Sequence, residues 1–461
     1  MKQYDVIIVG AGPAGIFSAL ELYKNNPSLD ILMLEKGNDI DKRSCPVAEY
    51  QQACANCKSC SITSGFGGAG AFSDGKLTLT TEFGGRLGDY IGENKLSELI
   101  DYIDKVYLDF GATDKVFGDN IDKEVELLKR QAAAAELMLI PARIRHLGTE
   151  QCYKILQRIR TWLDDKVEIK TNCPVKDVIV KDGVYEAVET KDGTIYKSDY
   201  IIVAPGRDGA DWFSQQAIKL DIPNEVNPVD IGVRVEVPAE VMNHITDIVY
   251  ESKFIFYSRQ FDDRVRTFCM NPKGAVVVEN SEGLMIVNGH SYQDIETKNT
   301  NFALLVSKNF TEPFKEPLKY GKYIANLANM LGGGVIVQRL GDLQDGRRST
   351  ESRIERGLVK PTLADATPGD LSLVLPHRYL VSLLEMLEAL DKVAPGVNSR
   401  HTLLYGVEVK FYSNRVQLDS ELRTNIENMW AIGDGAGITR GLAQASVAGV
   451  VAARSVIKNR D

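Results

Sequence analysis

The sequence predicts an α/β protein of two domains, the first of which is interrupted along the chain by the second. Three observations predict this class: an apolar run that enters a glycine-rich turn and a helix at the start, a meander of short alternating strands in the middle, and a strand followed by a small-residue helix at the end. At 461 residues the chain is too long for one compact core, and 44% hydrophobic residues with 25% charged residues is ordinary globular composition.

The first element is a Rossmann-like nucleotide-binding unit. "YDVIIVGAGPAGIFSALELYKNNPSLDILMLEKG" places a strand before Gly10-x-Gly12-x-x-Gly15, a helix after it, and Glu35 at the end of a second strand, twenty residues after Gly15. Gly10 permits a tight turn, Gly12 lets the backbone approach a pyrophosphate, and Gly15 lets the helix pack on the strand. Glu35 is predicted to accept hydrogen bonds from an adenosine ribose.

The last element indicates which dinucleotide binds. "MWAIGDGAGITRGLAQASVAGVVAARSVI" is an apolar strand that ends in Gly433-Asp434-Gly435 and is followed by a helix built largely from small residues. Asp434 can bond a ribitol hydroxyl, and a helix that begins near Gly441 can direct its positive end at the pyrimidine of a flavin. The sequence therefore favours FAD over NAD.

The middle element is a β-meander. In "KVEIKTNCPVKDVIVKDGVYEAVETKDGTIYKSDYIIVAPG" two Lys-Asp-Gly turns join alternating strands, and a buried strand ends at Ala204-Pro205-Gly206. With these three motifs the chain resembles the FAD-dependent oxidoreductases of the glutathione-reductase-like superfamily. The resemblance implies that Val175 meets the adenine through its backbone and that the Ala204-Pro205-Gly206 turn closes over the cofactor.

More narrowly, "ITSGFGGAGAFSDGKL", "RHLGTE" and "LLYGVEVKF" are similar to a bacterial family of FAD-dependent dehydrogenases known mostly from sequence. The loop Gly65-Phe66-Gly67-Gly68-Ala69-Gly70 repeats the G-x-G-x-x-G pattern without a preceding strand. The resemblance implies that this loop lies against the pyrophosphate and the isoalloxazine, where a Cβ would block the approach of the backbone. The predicted cofactor-binding residues are Gly10, Ala11, Gly12, Pro13, Ala14, Gly15, Glu35, Lys36, Gly67, Gly68, Val175, Ala204, Gly206, Gly433, Asp434, Gly441 and Leu442.

Changes in the pattern of predicted strands and helices along the chain predict the domain boundaries. Residues 1–225 are expected to form the first part of the FAD-binding domain, with 91–165 mainly helical. Residues 226–395, which alternate between strands and later helices, are expected to form an inserted α+β substrate domain. Residues 396–461 return to the FAD-binding domain.

Four cysteines crowd into the stretch before the glycine loop: Cys45, Cys54, Cys57 and Cys60. The two-residue spacings within this stretch match part of a bacterial iron–sulfur run, and four thiolates also suit tetrahedral zinc. The Cys45-Pro46 pair, however, precedes the run instead of following it. The sequence therefore favours metal-free thiols, with an iron–sulfur cluster or zinc as the alternatives.

Catalysis is assigned to few candidates. His290 follows a strand in the substrate domain and is predicted to handle a proton, and Arg234 is predicted to clamp an anion, with Arg347 and Arg348 as further anion clamps. The predicted activity is hydride transfer at flavin N5 on an unidentified small molecule. NAD(P)H would serve only as a transient reductant.

Two other functions compete with this activity: an electron-transfer or redox-sensing module that uses the cysteines and works with an electron-carrier protein, and FAD-dependent modification of tRNA. A net charge of −9 argues against nucleic acid as a partner. The chain shows no run of apolar residues long enough to span a membrane, and the odd cysteine number suits a reducing compartment, so a cytoplasmic location is expected.

Overall fold

The computed structural model of the chain describes residues 2–45, 59–73, 75–118, 123–140, 142–225, 227–281, 283–291, 296–308, 310, 314, 316–410 and 415–460. The strands are β1 Gln3–Val9, β2 Ile31–Leu34, β3 Lys76–Thr78, β4 Met138–Ile140, β5 Ile144–His146, β6 Glu168–Lys170, β7 Val175–Lys181, β8 Val184–Thr190, β9 Ile195–Val203, β10 Asn224–Glu225, β11 Val229–Pro238, β12 Lys253–Tyr257, β13 Arg264–Asn271, β14 Ala275–Ser281, β15 Leu284–His290, β16 Asn299–Lys308, β17 Ile336–Arg339, β18 Thr367–Pro368, β19 Leu403–Lys410, β20 Arg415–Val416 and β21 Met429–Ala431.

The α-helices are α1 Pro13–Asn25, α2 Gly88–Ile91, α3 Glu93–Asp109, α4 Lys123–Ala134, α5 Thr149–Leu163, α6 Ala210–Lys219, α7 Ala239–Thr246, α8 Pro317–Gly332, α9 Leu340–Gln344, α10 Glu351–Glu355, α11 His377–Asp391 and α12 Leu442–Arg460. Short 3₁₀ turns cover Ile40–Lys42, Gly68–Phe72, Arg207–Gly209, Leu371–Leu373 and Asp434–Ala436. Within the described part of the chain, no helix is both long and apolar enough to cross a membrane.

The chain divides into two compact units. The first contains Met1–Lys115, Arg145–Asn227 and Ser413–Asp461, and the second contains Val116–Ile144 and Pro228–Tyr412. The mixed α/β class predicted from the sequence is confirmed, with a Rossmann-like first unit and a second unit of mixed strands and helices.

The first unit is built on a sheet in which β6, β2, β1, β9 and β21 run parallel. The long strand β9 also begins the antiparallel meander with β8 and β7. Helix α1 packs closely on α12, since a Cβ added to Gly449 would lie 2.2 Å from the carbonyl oxygen of Ala14. The parallel order brings the carboxyl ends of β1, β9 and β21 to one edge of the sheet, where ligands of doubly wound folds bind.

The second unit is built on an eight-stranded sheet in the order β18-β17-β19-β11-β16-β13-β12-β4. The central strand β11 alternates strictly: Ile231, Val233 and Val235 enter an apolar core with residues of α7, α8 and α11. The intervening Arg234 and Glu236 lie on the opposite face and are nevertheless fully buried. Strands β14 and β15 form a separate two-stranded hairpin.

The boundaries of the two units differ from those expected from the pattern of predicted strands and helices. The main segment of the second unit runs from Pro228 to Tyr412, beyond the expected end at 395. Val116–Ile144 also belongs to this unit, whereas the sequence predicts 91–165 in the first domain. The physical reason is strand pairing: β4 adds to the edge of the eight-stranded sheet by pairing with β12, with Leu139 opposite Phe254. Such a long-range pairing leaves no periodic signal in the local sequence.

Candidate functional site

Two of the predicted motifs meet where β1 and β9 end. The N–H of Ala204 donates to the carbonyl oxygen of Val9 at 2.8 Å, and a Cβ on Gly10 would lie 2.2 Å from the carbonyl oxygen of Ala204. Gly15 is equally constrained, because its Cβ would lie 2.0 Å from the carbonyl oxygen of Gly10. Gly10 and Gly15 are therefore glycines for reasons of packing.

The C-terminal motif joins the same edge. The N–H of Ile432 donates to the carbonyl oxygen of Val203 at 2.9 Å, which continues the pairing of β21 with β9. A Cβ on Gly435 would lie 2.5 Å from the carbonyl oxygen of Gly206, so the turn after β21 lies directly against the turn after β9. Gly433 faces the start of α1, with its Cβ position 3.2 Å from that of Ala14.

The glycine loop, residues 65–70, contacts the turn that follows β1. The N–H of Gly67 donates to the carbonyl oxygen of Ala11 at 2.8 Å, and a Cβ on Gly68 would lie 3.0 Å from the Cα of Gly12. A Cβ on Gly70 would lie 2.7 Å from a methyl carbon of Leu442, the first residue of α12. The loop thus touches the starting points of both α1 and α12.

A second class of glycine in this region is not required by packing. A Cβ on Gly206 or Gly441 would meet no described atom within 4 Å, and one on Gly12 would meet only the Cα of Gly68, at 4.0 Å. Gly12 also caps α1 without any side-chain hydrogen bond from the described residues, and Pro13 occupies the first helical turn. Each of these three glycines therefore has room at its Cβ position, and at Gly12 the uncapped start of α1 has backbone N–H groups that can bind an anion.

Glu35 has a role that the sequence reading did not include. Its Oε2 accepts from the N–H of Ala11 at 2.8 Å, and its Oε1 accepts from the N–H groups of Gly37 at 2.8 Å and Gly65 at 2.9 Å. The residue is only 6% exposed. Glu35 therefore ties together the turn after β1, the turn after β2 and the glycine loop, while Oε2 keeps capacity for one further donor.

Lys36 lies beside Glu35 but its charge is already neutralised. Its Nζ lies 2.5 Å from a carboxylate oxygen of Asp208 and donates to the backbone carbonyl of Asp208 at 2.9 Å. Ser64 donates to the same carboxylate. Burial raises the pKa of Asp208, but the bonds from Lys36 and Ser64 outweigh burial and lower it overall.

Asp434 lies in the turn after β21. Its carboxylate accepts from the hydroxyl of Thr439 at 2.7 Å and lies 3.8 Å from the guanidinium of Arg207. Burial raises the pKa of the Asp434 carboxyl more than Arg207 and Thr439 lower it. Val175, which is predicted to contact the adenine, is the first residue of β7 and is buried.

Three features of this region were missed by sequence reasoning. The first is Arg43, whose buried guanidinium donates to backbone carbonyls of the described residues, including those of Phe66 and Gly68, both at 2.8 Å. The second is residues 84–86, which bond to the turn before α12: Arg440 N–H donates to the carbonyl of Gly84 at 2.7 Å. The third is Gln444, which accepts from the N–H of Leu87 at 3.3 Å. Only the consecutive glycines of "FGGRLG" offered a sequence signal for any of these.

The predicted catalytic residues lie in the second unit. Arg234 is fully buried and donates to the carbonyl of Cys269 at 2.7 Å. His290 ends β15, but strand alternation puts its side chain on the face opposite to that of Gly289, whose Cβ position is 2.6 Å from Cζ of Arg234. The structure thus brings Gly289 against Arg234, and the role of His290 stays a prediction. Arg347 pairs with Asp342 at 3.0 Å, and Arg348 is exposed.

Of the four clustered cysteines, Cys54 and Cys57 lie outside the described residues. Cys45 is half-buried and Cys60 is exposed. Among the residues that are described, no group of three or more His, Cys, Asp or Glu side chains could hold a metal ion. The metal site, and the functions that would use these cysteines, stay predictions.

Comparison with known proteins bears on the cofactor. Residues 228–411 match the family model described as FAD-dependent protein, C-terminal domain-like. A Clostridium beijerinckii protein, described as uncharacterized, is 28% identical over 485 residues, which covers 99% of this chain and 81% of that protein. The family match confirms the resemblance to FAD-dependent proteins that the sequence motifs predicted.

Two solved structures resemble the chain over nearly all of its length. Pyridoxine 4-oxidase from Mesorbium loti is 13% identical with a TM-score of 0.47, covering 98% of this chain and 99% of that one. The 3-ketosteroid-Δ4-(5α)-dehydrogenase from Rhodococcus jostii is 12% identical with a TM-score of 0.44, covering 98% of this chain and 96% of that one.

The two classes of glycine generate a prediction. Gly12→Ala should fold with near-wild-type stability, because its Cβ meets no close atom and its φ of −78° suits alanine, but the methyl group should exclude the pyrophosphate and lower FAD affinity about tenfold or more. Gly15→Ala is the matched control and should fold poorly, since its Cβ overlaps the Gly10 carbonyl. Thermal unfolding and bound flavin measured on both proteins separate the effects; a Gly12→Ala protein with full flavin content would refute the assignment.

Asp434 generates a prediction for pH. Because its pKa is raised in the folded protein, its contribution to the stability of the apoprotein is present at low pH and is lost as pH rises through the folded pKa. Asp434→Asn keeps an acceptor for Thr439 and should make the apoprotein more stable than wild type near pH 7, with the gain disappearing below the ordinary value of 3.8. Denaturant titrations across pH test this, and a gain that is independent of pH would contradict it.

The cysteine stretch generates a third prediction. We expect neither iron nor zinc in stoichiometric amount in anaerobically prepared protein, because the cysteine–proline order departs from the iron–sulfur arrangement. Elemental analysis by mass spectrometry provides the test, with Cys57→Ser as the control for metal bound at these thiols. One metal per chain that disappears in the variant would establish a metal site instead.

Proposed function

We propose that this chain is an FAD-dependent oxidoreductase that transfers a hydride between flavin N5 and a small molecule. The observation that carries the proposal is the convergence of four separate glycine-containing segments at one sheet edge, with open space beside Gly12, Gly206 and Gly441. The family match over 228–411 supports FAD as the cofactor.

In this proposal the dinucleotide half of FAD is held by the first unit. The uncapped start of α1 and the backbone of Gly12 would face the pyrophosphate, which the positive end of a helix stabilises. Glu35 would accept a ribose hydroxyl at Oε2, because its other oxygen already has two backbone donors. Lys36 would act only indirectly, since Asp208 neutralises its charge.

The flavin half would lie near the turn after β21. Asp434, held by Thr439, would accept a ribitol hydroxyl, and a bond to such a group would favour the ionised acid that burial alone disfavours. The first residue of α12, Leu442, adjoins the glycine loop through Gly70, so both elements would border the ring.

FAD, when bound, supplies hydride acceptance and donation at N5. The contribution of the chain is then to bind and orient the substrate, to exclude water and to handle one proton. We assign substrate binding to the second unit, in which Arg234 is the candidate anion contact. His290 remains the residue predicted to transfer this proton, and the pH dependence of the reaction rate would test that prediction.

The cofactor assignment has a direct test. Wild-type protein should release FAD, and not FMN, on heat denaturation, in a ratio near one per chain, because Glu35 and the start of α1 would bind the adenosine ribose and the pyrophosphate, which FMN lacks. Chromatography and mass spectrometry of the extract measure this. The Gly12→Ala variant, which should bind FAD more weakly, controls for flavin that is bound non-specifically. Release of FMN, or failure to bind FAD on reconstitution, would overturn the proposal.

The oxidoreductase assignment needs a second measurement. The flavin of the holoprotein should be reduced anaerobically by a member of a panel of small organic donors, and dye reduction under turnover should follow. NAD(P)H is included in the panel to determine whether it acts as a transient reductant. A flavin that no member of the panel reduces, but that a protein electron carrier reduces rapidly, would favour the electron-transfer alternative.

A further inference from the structure

Arg207 follows the Ala204-Pro205-Gly206 turn of the first unit and carries an exposed guanidinium. Its side chain is 66% exposed, and its Nε lies 3.8 Å from a carboxylate oxygen of Asp434. That distance is too long for a hydrogen bond. Within the described part of the chain, the guanidinium of Arg207 therefore has one distant ion pair and no hydrogen bond, although an arginine offers several N–H donors.

The backbone of Arg207 is anchored on both sides, although its side chain is exposed. On one side, Gly206 has a φ of +64°, and its carbonyl oxygen lies 2.5 Å from the Cβ position of Gly435. On the other side, Nζ of Lys36 donates to the backbone carbonyl of Asp208 at 2.9 Å and lies 2.5 Å from its carboxylate. The side chain of Arg207 thus starts from a fixed point beside the turns that follow β9 and β21.

The other charged groups on these turns already have partners. Lys36 is paired with Asp208, and the buried guanidinium of Arg43 donates to backbone carbonyls. Glu35 accepts from three backbone N–H groups. None of these groups uses the donors of Arg207.

Asp434 does not depend on Arg207 alone. Its carboxylate accepts from the hydroxyl of Thr439 at 2.7 Å, and Arg440 is a second cation that lowers the pKa of the Asp434 carboxyl. If the guanidinium of Arg207 bonded another acceptor, Asp434 would therefore keep a hydrogen-bond donor and a nearby positive charge.

Arg207 also belongs to the edge at which α1 begins. Asp434 follows Gly433, whose Cβ position lies 3.2 Å from the Cβ of Ala14 in the first turn of α1. The same turn has no side-chain cap from the described residues, and the Cβ position of Gly12 is nearly free of neighbouring atoms. The exposed guanidinium and the unused N–H groups of the helix start are therefore connected through a few contacts within one unit.

We propose that Arg207 binds the pyrophosphate of FAD through its unused N–H donors. The inference rests on the proposed FAD site and adds a cationic side chain to the backbone N–H groups at the start of α1. A guanidinium matches phosphate oxygens in charge and in the fork geometry of its donors. Hydrogen bonds of this charge-assisted kind are stronger than an exposed ion pair without a hydrogen bond, so the approach to Asp434 does not compete with the pyrophosphate.

The test compares Arg207→Gln with wild type, in full-length protein from which flavin has been removed. Quenching of flavin fluorescence measures the affinity for FAD, and we expect the variant to lose affinity about tenfold or more. Added salt should weaken FAD binding less in Arg207→Gln than in wild type, because one charge contact is gone. Unchanged affinity and unchanged salt dependence would overturn the proposal.

ADP distinguishes a contact with the pyrophosphate from an effect through Asp434. ADP carries the pyrophosphate and the adenosine but no ribitol, so it offers no ribitol hydroxyl to Asp434. Competition with FAD measures its affinity, and Arg207→Gln should lose affinity for ADP about as strongly as for FAD. A loss confined to FAD would show that Arg207 acts through Asp434, and the pyrophosphate contact would then be wrong.

Two further variants control for charge and for folding. Arg207→Lys keeps the charge without the fork and should recover part of the affinity that Arg207→Gln loses. Lys219→Gln removes an exposed cation of the same unit, paired with Asp177 at 2.7 Å, and should bind FAD and ADP as wild type does. All three apoproteins should unfold close to the wild-type temperature, since exposed ion pairs contribute little to stability. An equal loss of affinity in Lys219→Gln would assign the effect to net charge and overturn the contact.

The same titrations separate this contact from the proposed FAD site. Wild-type protein that binds neither FAD nor ADP would refute the cofactor proposal, and the contact with it. Wild-type protein that binds both ligands, together with Arg207→Gln that binds both equally well, would refute the contact at Arg207 and leave the cofactor proposal in place.

Discussion

The carboxylate of Glu35 is the constraint on which the organisation of the first unit depends. Glycine-rich loops lack side chains with which to hold one conformation, and ordering them costs more backbone entropy than ordering other residues. Three N–H groups from separate turns, those of Ala11, Gly37 and Gly65, all donate to this one buried acid. Removal of the acid would leave three buried donors unsatisfied, each at a cost of about 1–3 kcal/mol.

Arg43 performs the complementary task with the opposite charge. Its guanidinium donates hydrogen bonds to backbone carbonyl oxygens. Those of Ser61 and Ile62 belong to the end of the cysteine stretch, and those of Phe66 and Gly68 belong to the glycine loop. Burial lowers its pKa to about 10, against the raising influence of Glu35, so the group still carries its charge at neutral pH. The end of the cysteine stretch and the glycine loop are consequently held by one side chain, which relates two segments that share no sequence pattern.

What the sequence predicted well was local. A strand, a glycine turn and a helix within about 30 residues form a self-contained βαβ signal, so the segments around Gly10, Ala204 and Asp434 could be read directly. Arg43, the Lys36–Asp208 pair and the membership of β4 in the second unit could not be read, because each depends on contacts between residues remote in sequence. The close approach of Gly289 to Arg234 could not be read either, because it joins β15 to β11 across the fold.

The start of α1 has a physical property that composition hides. The chain carries a net charge of −9, yet no described side chain caps this helix start, and the Cβ position of Gly12 beside it is nearly free of neighbouring atoms. Exposed charges are screened beyond a Debye length of about 8 Å at physiological salt, so the overall acidity has little influence inside such sites. Local donors decide which ligand binds. In the proposed FAD site, a pyrophosphate would therefore be held by the backbone N–H groups at the start of α1 although the chain as a whole is acidic.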